Sequence, residues 1–158
     1  MMDYIESPSP LVFDPDKVSI FLAGSIDLGI AVDWQSIVAQ ALADLDVVLL
    51  NPRRKTWDPK IPQSIENPVF CEQVQWELEA QEHAQLIVFY FAPGTQAPIT
   101  LLEFGLALKR KRIIVCCPDQ FWRKGNIDIT CKHYEVPQVD TLDALILAIR
   151  SEVKTSFC

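Results

Sequence analysis

The sequence predicts an α/β domain built on a doubly wound parallel sheet of four to five strands, with helices on both faces. The predicted strands are apolar throughout rather than alternating, which indicates a sheet covered on both faces. Segments with the periodicity of amphipathic helices separate them, and this alternation favours right-handed βαβ units. With 158 residues, 49% of them hydrophobic and 22% charged, the chain suits one domain with a substantial core.

The N-terminal part begins with an extended arm over residues 1–16, because prolines at positions 8, 10 and 15 exclude regular helix. Residues 17–158 form the single α/β domain. Its first strand is predicted over residues 18–22, an apolar run that ends in a turn at Ala23-Gly24-Ser25. Asp33 can cap the following helix, whose apolar positions share one stripe: Trp34, Ile37, Val38, Ala41, Leu42 and Leu45.

A long irregular stretch with several prolines follows the second predicted strand, and such loops are usually functional or mobile. The predicted elements after the first helix are a strand over 47–50, a helix over about 68–82, a strand over 86–91, a helix from about 98, a strand over 113–117, a short helix within 121–134, a small strand over 136–139 and a helix over about 142–153.

Polar turns follow each of the main predicted strands. Because parallel strands end at the same edge of a sheet, these turns should lie together where open α/β sheets bind ligands. They are Ala23-Gly24-Ser25, Asn51-Pro52-Arg53, Pro93-Gly94-Thr95 and residues 118–126.

Charge and cysteine usage exclude several classes of protein. A formal net charge of −7 argues against binding to nucleic acid polymers, which requires a strongly basic face. Five cysteines without a C-x-x-C pair indicate reduced thiols in a cytoplasmic protein. The N-terminus is acidic, and no apolar run has transmembrane length, so neither a secretory signal nor a membrane partner is expected.

The sequence also predicts neither a cofactor nor a metal. It contains no Walker loop, no G-x-G-x-x-G after the first strand and no nucleophilic serine elbow. Its two histidines, His83 and His133, lack partners at metal-ligand spacing.

Glu103 is the one ionisable side chain in the apolar run from Ile99 to Leu108. Burying an unpaired carboxylate costs several kcal/mol or more, so a glutamate in this apolar run requires a structural or functional explanation. One reason is a capping box, in which Thr100 caps the helix and Glu103 bonds back to the backbone N–H of Thr100. The other is a functional carboxylate near a helix N-terminus, where the helix dipole favours the ionised form.

Glu77 is a second carboxylate out of pattern, on the helical stripe shared by Phe70, Val74, Leu78 and Gln81. Its simpler explanation is a solvated face that also carries Glu72, Glu79 and Glu82. As a pair, however, Glu77 and Glu103 provide the two groups that displacement at the anomeric carbon of a sugar requires. One carboxylate attacks as the nucleophile, and the other donates and accepts protons.

Several ordered blocks of the chain resemble the nucleoside 2-deoxyribosyltransferase family. They are Phe21-Leu22-Ala23-Gly24-Ser25-Ile26, Asn51-Pro52-Arg53-Arg54, Gln75-Trp76-Glu77-Leu78, Pro98 to Gly105 and Phe121 to Asn126. The resemblance covers about residues 18–134. It implies a flavodoxin-like, Rossmann-like subunit that forms homo-oligomers, in which Glu103 attacks C1′ of a 2′-deoxynucleoside and forms a covalent deoxyribosyl-enzyme.

The resemblance also implies roles for other residues. Glu77 would contact the sugar and the nucleophile, and Gly24 and Ser25 would approach the nucleobase. Asn126 would contact the 5′-hydroxyl of the sugar bound in the site of a neighbouring subunit. The predicted substrate-binding set is completed by Asp27, Asn51, Arg53 and Trp57, with Trp57 as a stacking surface for a base.

The chain departs from the family pattern at two positions. Ala97 replaces an aspartate that meets the nucleobase in better-known members, and Phe21 replaces a tyrosine. The group that protonates the leaving base is therefore open among Glu77, Asp27, a water molecule and Tyr90.

We expect a transferase that exchanges the nucleobase of a 2′-deoxynucleoside for a free nucleobase. One alternative is a hydrolase of nucleoside 5′-monophosphates, in which Arg53 and Arg54 bind the phosphate. Another is a nucleotide-sensing module without turnover, which the fold alone equally permits.

Overall fold

The computed structural model describes residues 1–26 and 31–156. Its strands are β1 (Asp3–Glu6), β2 (Val18–Gly24), β3 (Val47–Asn51), β4 (Leu86–Tyr90), β5 (Arg112–Cys116) and β6 (Gln138–Val139). Its helices are α1 (Trp34–Ala41), α2 (Pro68–His83), α3 (Pro98–Ala107), α4 (Lys124–His133) and α5 (Leu142–Ser156).

All neighbouring strands are parallel, and they form one sheet in the order β1-β3-β2-β4-β5-β6. Without β1, this order is the 2-1-3-4-5 arrangement of flavodoxin-like folds. The predicted doubly wound α/β fold is therefore confirmed, with one strand more than predicted.

The additional strand is β1, which lies within the predicted extended arm. It pairs with β3 in the register Asp3 to Val48 through Glu6 to Asn51. Its side chains are exposed or half-buried because β1 is an edge strand. The apolar run that identifies a buried strand is therefore missing, and the prolines that indicate an arm follow the strand.

The two faces of the sheet carry separate hydrophobic clusters. Alternate residues of β2 show the division, since Ile20 and Leu22 join one cluster while Phe21 and Ala23 join the other. Helices α1 and α5 cover the first face, and α2, α3 and α4 cover the second. This arrangement explains why the strands are apolar at every position.

The topology places a crevice above β2 and β4. The chain leaves β2 toward β3 on one side and leaves β4 toward β5 on the other, so the strand order reverses between them. Ligands bind at such a switch point in open α/β sheets. Helices α2 and α3 both pack against β2, which brings the two helices with the predicted catalytic carboxylates to the same part of the sheet.

Gly24 ends β2 where the ring of Trp34 lies against the strand. A Cβ atom at position 24 would lie 2.4 Å from Cζ2 of Trp34 and 2.7 Å from the carbonyl oxygen of Tyr90. Trp34 is completely buried and contacts the ring of Tyr90, with ring centroids 5.2 Å apart. The glycine is therefore required for packing.

Replacement of Gly24 by alanine is expected to destabilise the protein by about 1–3 kcal/mol, because neither the buried indole nor the main chain can move freely. Chemical denaturation measures this loss. Gly125→Ala is the matched control, since a methyl group at position 125 meets no atom within 4 Å. Equal stability of the two variants would contradict the packing role of Gly24.

The described cysteines, Cys71, Cys116, Cys117 and Cys131, are free thiols, as predicted, while Cys158 lies outside the described residues. Burial raises the pKa of both Cys116 and Cys117 to about 12, so both remain protonated. Within residues 1–26 and 31–156, no helix is both long and apolar enough to cross a membrane.

Candidate active site

Helix α2 presents a polar stripe toward the interior of the protein. Its N-cap Asn67 accepts hydrogen bonds from the backbone N–H groups of Val69 and Phe70 and fixes where the helix begins. Gln73, Glu77 and Gln81 follow at intervals of four residues and therefore share one face. Gln73 and Gln81 are buried and Glu77 is half-buried, so this face points away from solvent.

Helix α3 carries Glu103 on its inner side. The helix begins at Pro98, after an N-cap Ala97 in the left-handed region at φ 46°, which makes no side-chain cap. Thr100 is thus inside the first turn, and the capping box considered for Thr100 and Glu103 does not form. Glu103, only 9% exposed, instead accepts a hydrogen bond from the Nε2 of Gln81.

Glu77 is held by the amide of Gln73. The Nε2 of Gln73 donates to Oε1 of Glu77 over 2.9 Å and to the carbonyl oxygen of Pro52 over 2.8 Å. The hydroxyl of Ser7 donates to Oε1 of Gln73 over 2.6 Å. A solvated face is therefore the wrong interpretation for Glu77, although it is correct for the exposed Glu72, Glu79 and Glu82.

The two carboxyl groups are electrostatically coupled. Burial, and to a smaller extent the charge of Glu77, raise the pKa of Glu103 to about 8 against the opposing effect of the hydrogen bond from Gln81. Burial also raises the pKa of Glu77, to about 7, against the hydrogen bond from Gln73. At neutral pH such a pair keeps a proton, and the higher pKa of Glu103 places this proton mainly on Glu103 in the free protein.

This arrangement corrects one electrostatic expectation. Glu103 lies in the second turn of α3, whereas the field of a helix dipole falls off within the first turn. Desolvation therefore outweighs the helix dipole, and the pKa of Glu103 rises instead of falling.

Ser25 joins the end of β2 to the loop before α3. Its hydroxyl accepts a hydrogen bond from the backbone N–H of Ala92 over 3.0 Å and lies 2.7 Å from the hydroxyl of Thr95, which donates to the carbonyl of Ala92. Since the Thr95 proton is used, Ser25 donates to Thr95. Ser25 is fully buried and its backbone N–H donates to the carbonyl oxygen of Tyr90, so this residue holds the sheet edge together and is not available to a ligand.

Asn51 and Arg53 also have partners within the protein. The side chain of Asn51 donates to the Tyr4 hydroxyl over 2.5 Å and accepts from the backbone N–H of Arg53 over 2.9 Å. The guanidinium of Arg53 donates to the carbonyls of Ala31 and Val32 over 3.0 and 3.3 Å. Arg53 thereby anchors the segment that leads into α1.

The other predicted site residues are spread around the same edge. Trp57 is half-buried in the segment between β3 and α2, and Asn126 is exposed on α4. Asp27 lies outside the described residues. Trp34 and Trp76 are core residues, as their helical spacing indicated, and Nε1 of Trp76 donates to the carbonyl of Ser9.

The structure adds Gln73, Gln81 and Ser7 to the site. The two glutamines could have been identified from the sequence, since amide side chains at core-facing positions of a helix need hydrogen-bond partners. Ser7 could not, because its position beside α2 depends on the pairing of β1 with β3. In the described part of the chain, no group of three or more His, Cys, Asp or Glu side chains is arranged to hold a metal ion.

Comparisons with known proteins agree with this architecture. A family model described as nucleoside 2-deoxyribosyltransferase like matches residues 17–121. No curated protein matches the sequence. Among solved structures, a conserved protein from Enterococcus faecalis V583 is similar, with a TM-score of 0.60 and 12% sequence identity over 86% of this chain and 99% of that chain. At this identity the similarity shows a shared fold alone.

Proposed function

Because this chain belongs to the nucleoside 2-deoxyribosyltransferase-like family, we propose that it exchanges the nucleobase of a 2′-deoxynucleoside through a covalent deoxyribosyl-Glu103 intermediate. The observation that carries the proposal is the pair of carboxyl groups on α2 and α3, one on the half-buried Glu77 and one on the buried Glu103, with raised pKa values. Each is held by an amide, and both helices pack against β2 beside the switch point. This pair has the composition and environment of a nucleophile and an acid–base group.

In the first step, a carboxylate oxygen of Glu103 attacks C1′ of the nucleoside. A C1′–O bond forms while the glycosidic C1′–N bond breaks, and its electron pair stays on the nucleobase. The proton that the higher pKa of Glu103 places on that group in the free protein moves to Glu77 before the attack, and Glu77 then gives it to the departing base. The products are a deoxyribosyl ester of Glu103, a Glu77 carboxylate and a free base.

In the second step, Glu77 removes a proton from the incoming base while a ring nitrogen of that base attacks C1′. The C1′–O bond breaks and its electrons return to Glu103 as a carboxylate. Two displacements at the same carbon give net retention of the β configuration.

Glu77 is the best proton donor among the groups that the sequence left open. Its raised pKa, about 7, keeps a large fraction protonated at neutral pH, where an ordinary glutamate is ionised. Tyr90 packs with the cluster on the opposite face of the sheet, and burial raises its pKa further above the neutral range. Glu77 is also placed near the proposed nucleophile, since its charge raises the pKa of Glu103.

The monophosphate hydrolase has less support from the geometry. Arg53 is bound to main-chain carbonyls, and Arg54 forms a 2.7 Å ion pair with Glu72. Both guanidinium groups that would bind a phosphate therefore have partners already.

The test is to incubate the protein with deoxyinosine and adenine and to follow the formation of deoxyadenosine by chromatography. We expect deoxyadenosine in the β configuration together with free hypoxanthine. Release of free deoxyribose without exchange would favour a hydrolase. Turnover restricted to nucleoside monophosphates would contradict the transferase, and binding without turnover would favour the sensing module.

We also propose that the chain forms homo-oligomers through the outer side of α3. Ile99, Leu102 and Leu106 lie on this side at helical spacing and are 56%, 59% and 53% exposed. Asn126, the residue that the family resemblance lends to a neighbouring subunit, is exposed on α4, which covers the same face of the sheet. A second copy on this face would bury the apolar side chains and bring Asn126 close to another site.

The double variant Leu102→Glu, Leu106→Glu is expected to be a monomer, because charges replace the apolar centre of the proposed interface. Size-exclusion chromatography with light scattering reports the mass. Leu147→Glu is the matched control, since Leu147 is 68% exposed on α5, which covers the opposite face. A monomeric wild type, or an oligomer that survives the double substitution, would contradict this interface.

A further inference from the structure

We infer that Gln73 and Gln81 are positioning residues that select which oxygen of each catalytic carboxyl group reacts. Each glutamine presents an amide N–H to one oxygen of one carboxyl group, Gln73 to Oε1 of Glu77 and Gln81 to Oε2 of Glu103. This inference rests on the proposed function and assigns roles to residues outside the predicted site.

The orientation of the Gln73 amide follows from its partners. Its nitrogen faces the carbonyl oxygen of Pro52, which can only accept, and its oxygen receives the hydroxyl proton of Ser7. A rotated amide would place two oxygens against each other at Pro52. The second N–H of Gln73 is therefore directed at Glu77.

The Gln73 contact determines where Glu77 carries its proton. An amide nitrogen donates and does not accept, so Oε1 of Glu77 cannot hold a proton toward Gln73. When Glu77 is protonated, its proton is on Oε2. This is the oxygen that would serve the nucleobase in both steps of the exchange.

Gln81 has the corresponding effect on Glu103. Its N–H engages Oε2, which leaves Oε1 as the oxygen that attacks C1′. After attack, Oε2 becomes the carbonyl oxygen of the ester and continues to accept this hydrogen bond. In the second step, charge returns to the departing carboxylate, and the same N–H stabilises it.

The surroundings of the glutamines support a role beyond packing. Gln81 is 8% exposed and Gln73 is 7% exposed, on a helix whose remaining inward positions include the apolar Trp76 and Ala80. Apolar side chains at positions 73 and 81 would fill the same space. The buried amide of Gln81 is explained by its hydrogen bond to Glu103, whereas the amide of Gln73 joins Glu77 to Ser7 and to the carbonyl of Pro52.

The test compares Gln81→Met and Gln73→Met with Gln75→Met, a control at an exposed position of the same helix. Methionine keeps the length of the side chain and removes the donor. Gln81→Met is expected to lower kcat about ten- to a hundredfold with little change in KM, since the lost hydrogen bond is to a charged group. Gln75→Met should match the wild type.

A second measurement follows the protonation of the two carboxyl groups directly and does not depend on enzymatic activity. In protein labelled with carbon-13 at the glutamate carboxyl carbon, the two signals are assigned with Glu77→Gln and Glu103→Gln and titrated by NMR. Gln81→Met should raise the pKa of Glu103, and Gln73→Met should raise the pKa of Glu77. Two folded variants with unchanged titrations would overturn the inference, even if exchange activity is present. A wild type without exchange would overturn the proposed function, while the titrations would still report on the hydrogen bonds.

Discussion

Glu103→Gln is expected to lower the rate of nucleobase exchange by about a thousandfold or more, because an amide cannot replace the carboxylate as a nucleophile. The substitution preserves the shape of the side chain and removes only the reactive oxygen. The measurement is the initial rate of deoxyadenosine formation from deoxyinosine and adenine. Glu79→Gln, at an exposed position of α2, is the control and should retain the wild-type rate. A Glu103→Gln variant with more than about a tenth of the wild-type rate would exclude Glu103 as the nucleophile.

The same substitution is expected to stabilise the protein at alkaline pH. The pKa of Glu103 rises from 4.5 to about 8 on folding, so its contribution to stability is present below pH 4.5 and is lost as the pH rises through about 8. At pH 9 the native protein must hold an ionised Glu103 beside an ionised Glu77. Glu103→Gln removes this penalty, which is on the order of 3–5 kcal/mol.

Thermal denaturation of both proteins at pH 5 and pH 9 measures this effect. The unfolding temperatures should be close at pH 5, and the variant should be roughly ten degrees more stable at pH 9. Glu79→Gln should show no such pH dependence, because Glu79 is exposed. A wild type that is as stable as Glu103→Gln at pH 9 would mean that the carboxyl group is not desolvated in solution.

Together these two results would identify a site that lowers stability in exchange for reactivity. Burial disfavours the charges on Glu103 and Glu77, and the amides of Gln81 and Gln73, respectively, compensate only part of this cost. Active sites commonly keep such unfavourable groups because the chemistry requires them.

The order of buried strands and helices could be predicted from the sequence because burial acts on every residue of those elements. Strand β3 is apolar except at its end and is buried at all positions, so its pattern is not ambiguous. Strand β1 has no such pattern, because half of its side chains face solvent and its partner is far away in sequence. Edge strands of this kind depend on backbone pairing, which leaves little trace in side-chain composition.

The two proposed catalytic carboxylates could also be identified, since Glu103 interrupts an apolar run and Glu77 lies at a core-facing position of its helix. What the sequence could not settle was the environment of Glu103. Thr100 and Glu103 have the spacing of a capping box, but the N-cap is Ala97, three residues before Thr100, and the helix begins at Pro98, which makes that box impossible. The hydrogen bond from Gln81 to Glu103 joins two helices, and such contacts do not follow from spacing within either one.

Residues of the polar turns were harder to interpret. Ser25, Asn51 and Arg53 lie at the carboxyl edge as predicted, yet each side chain is engaged by the protein itself. A turn that brings strands to a ligand must also satisfy its own buried backbone groups, and short polar side chains serve that purpose.

The most direct test of the covalent mechanism is to mix the protein with deoxyinosine, stop the reaction with acid within its first turnovers and analyse the peptides by mass spectrometry. The proposed mechanism predicts that the peptide containing Glu103 gains the mass of one deoxyribosyl group, and that adenine added before the acid removes this group as β-deoxyadenosine. A protein that converts deoxyinosine without any adduct on Glu103, or one that releases α-anomers, would contradict the mechanism.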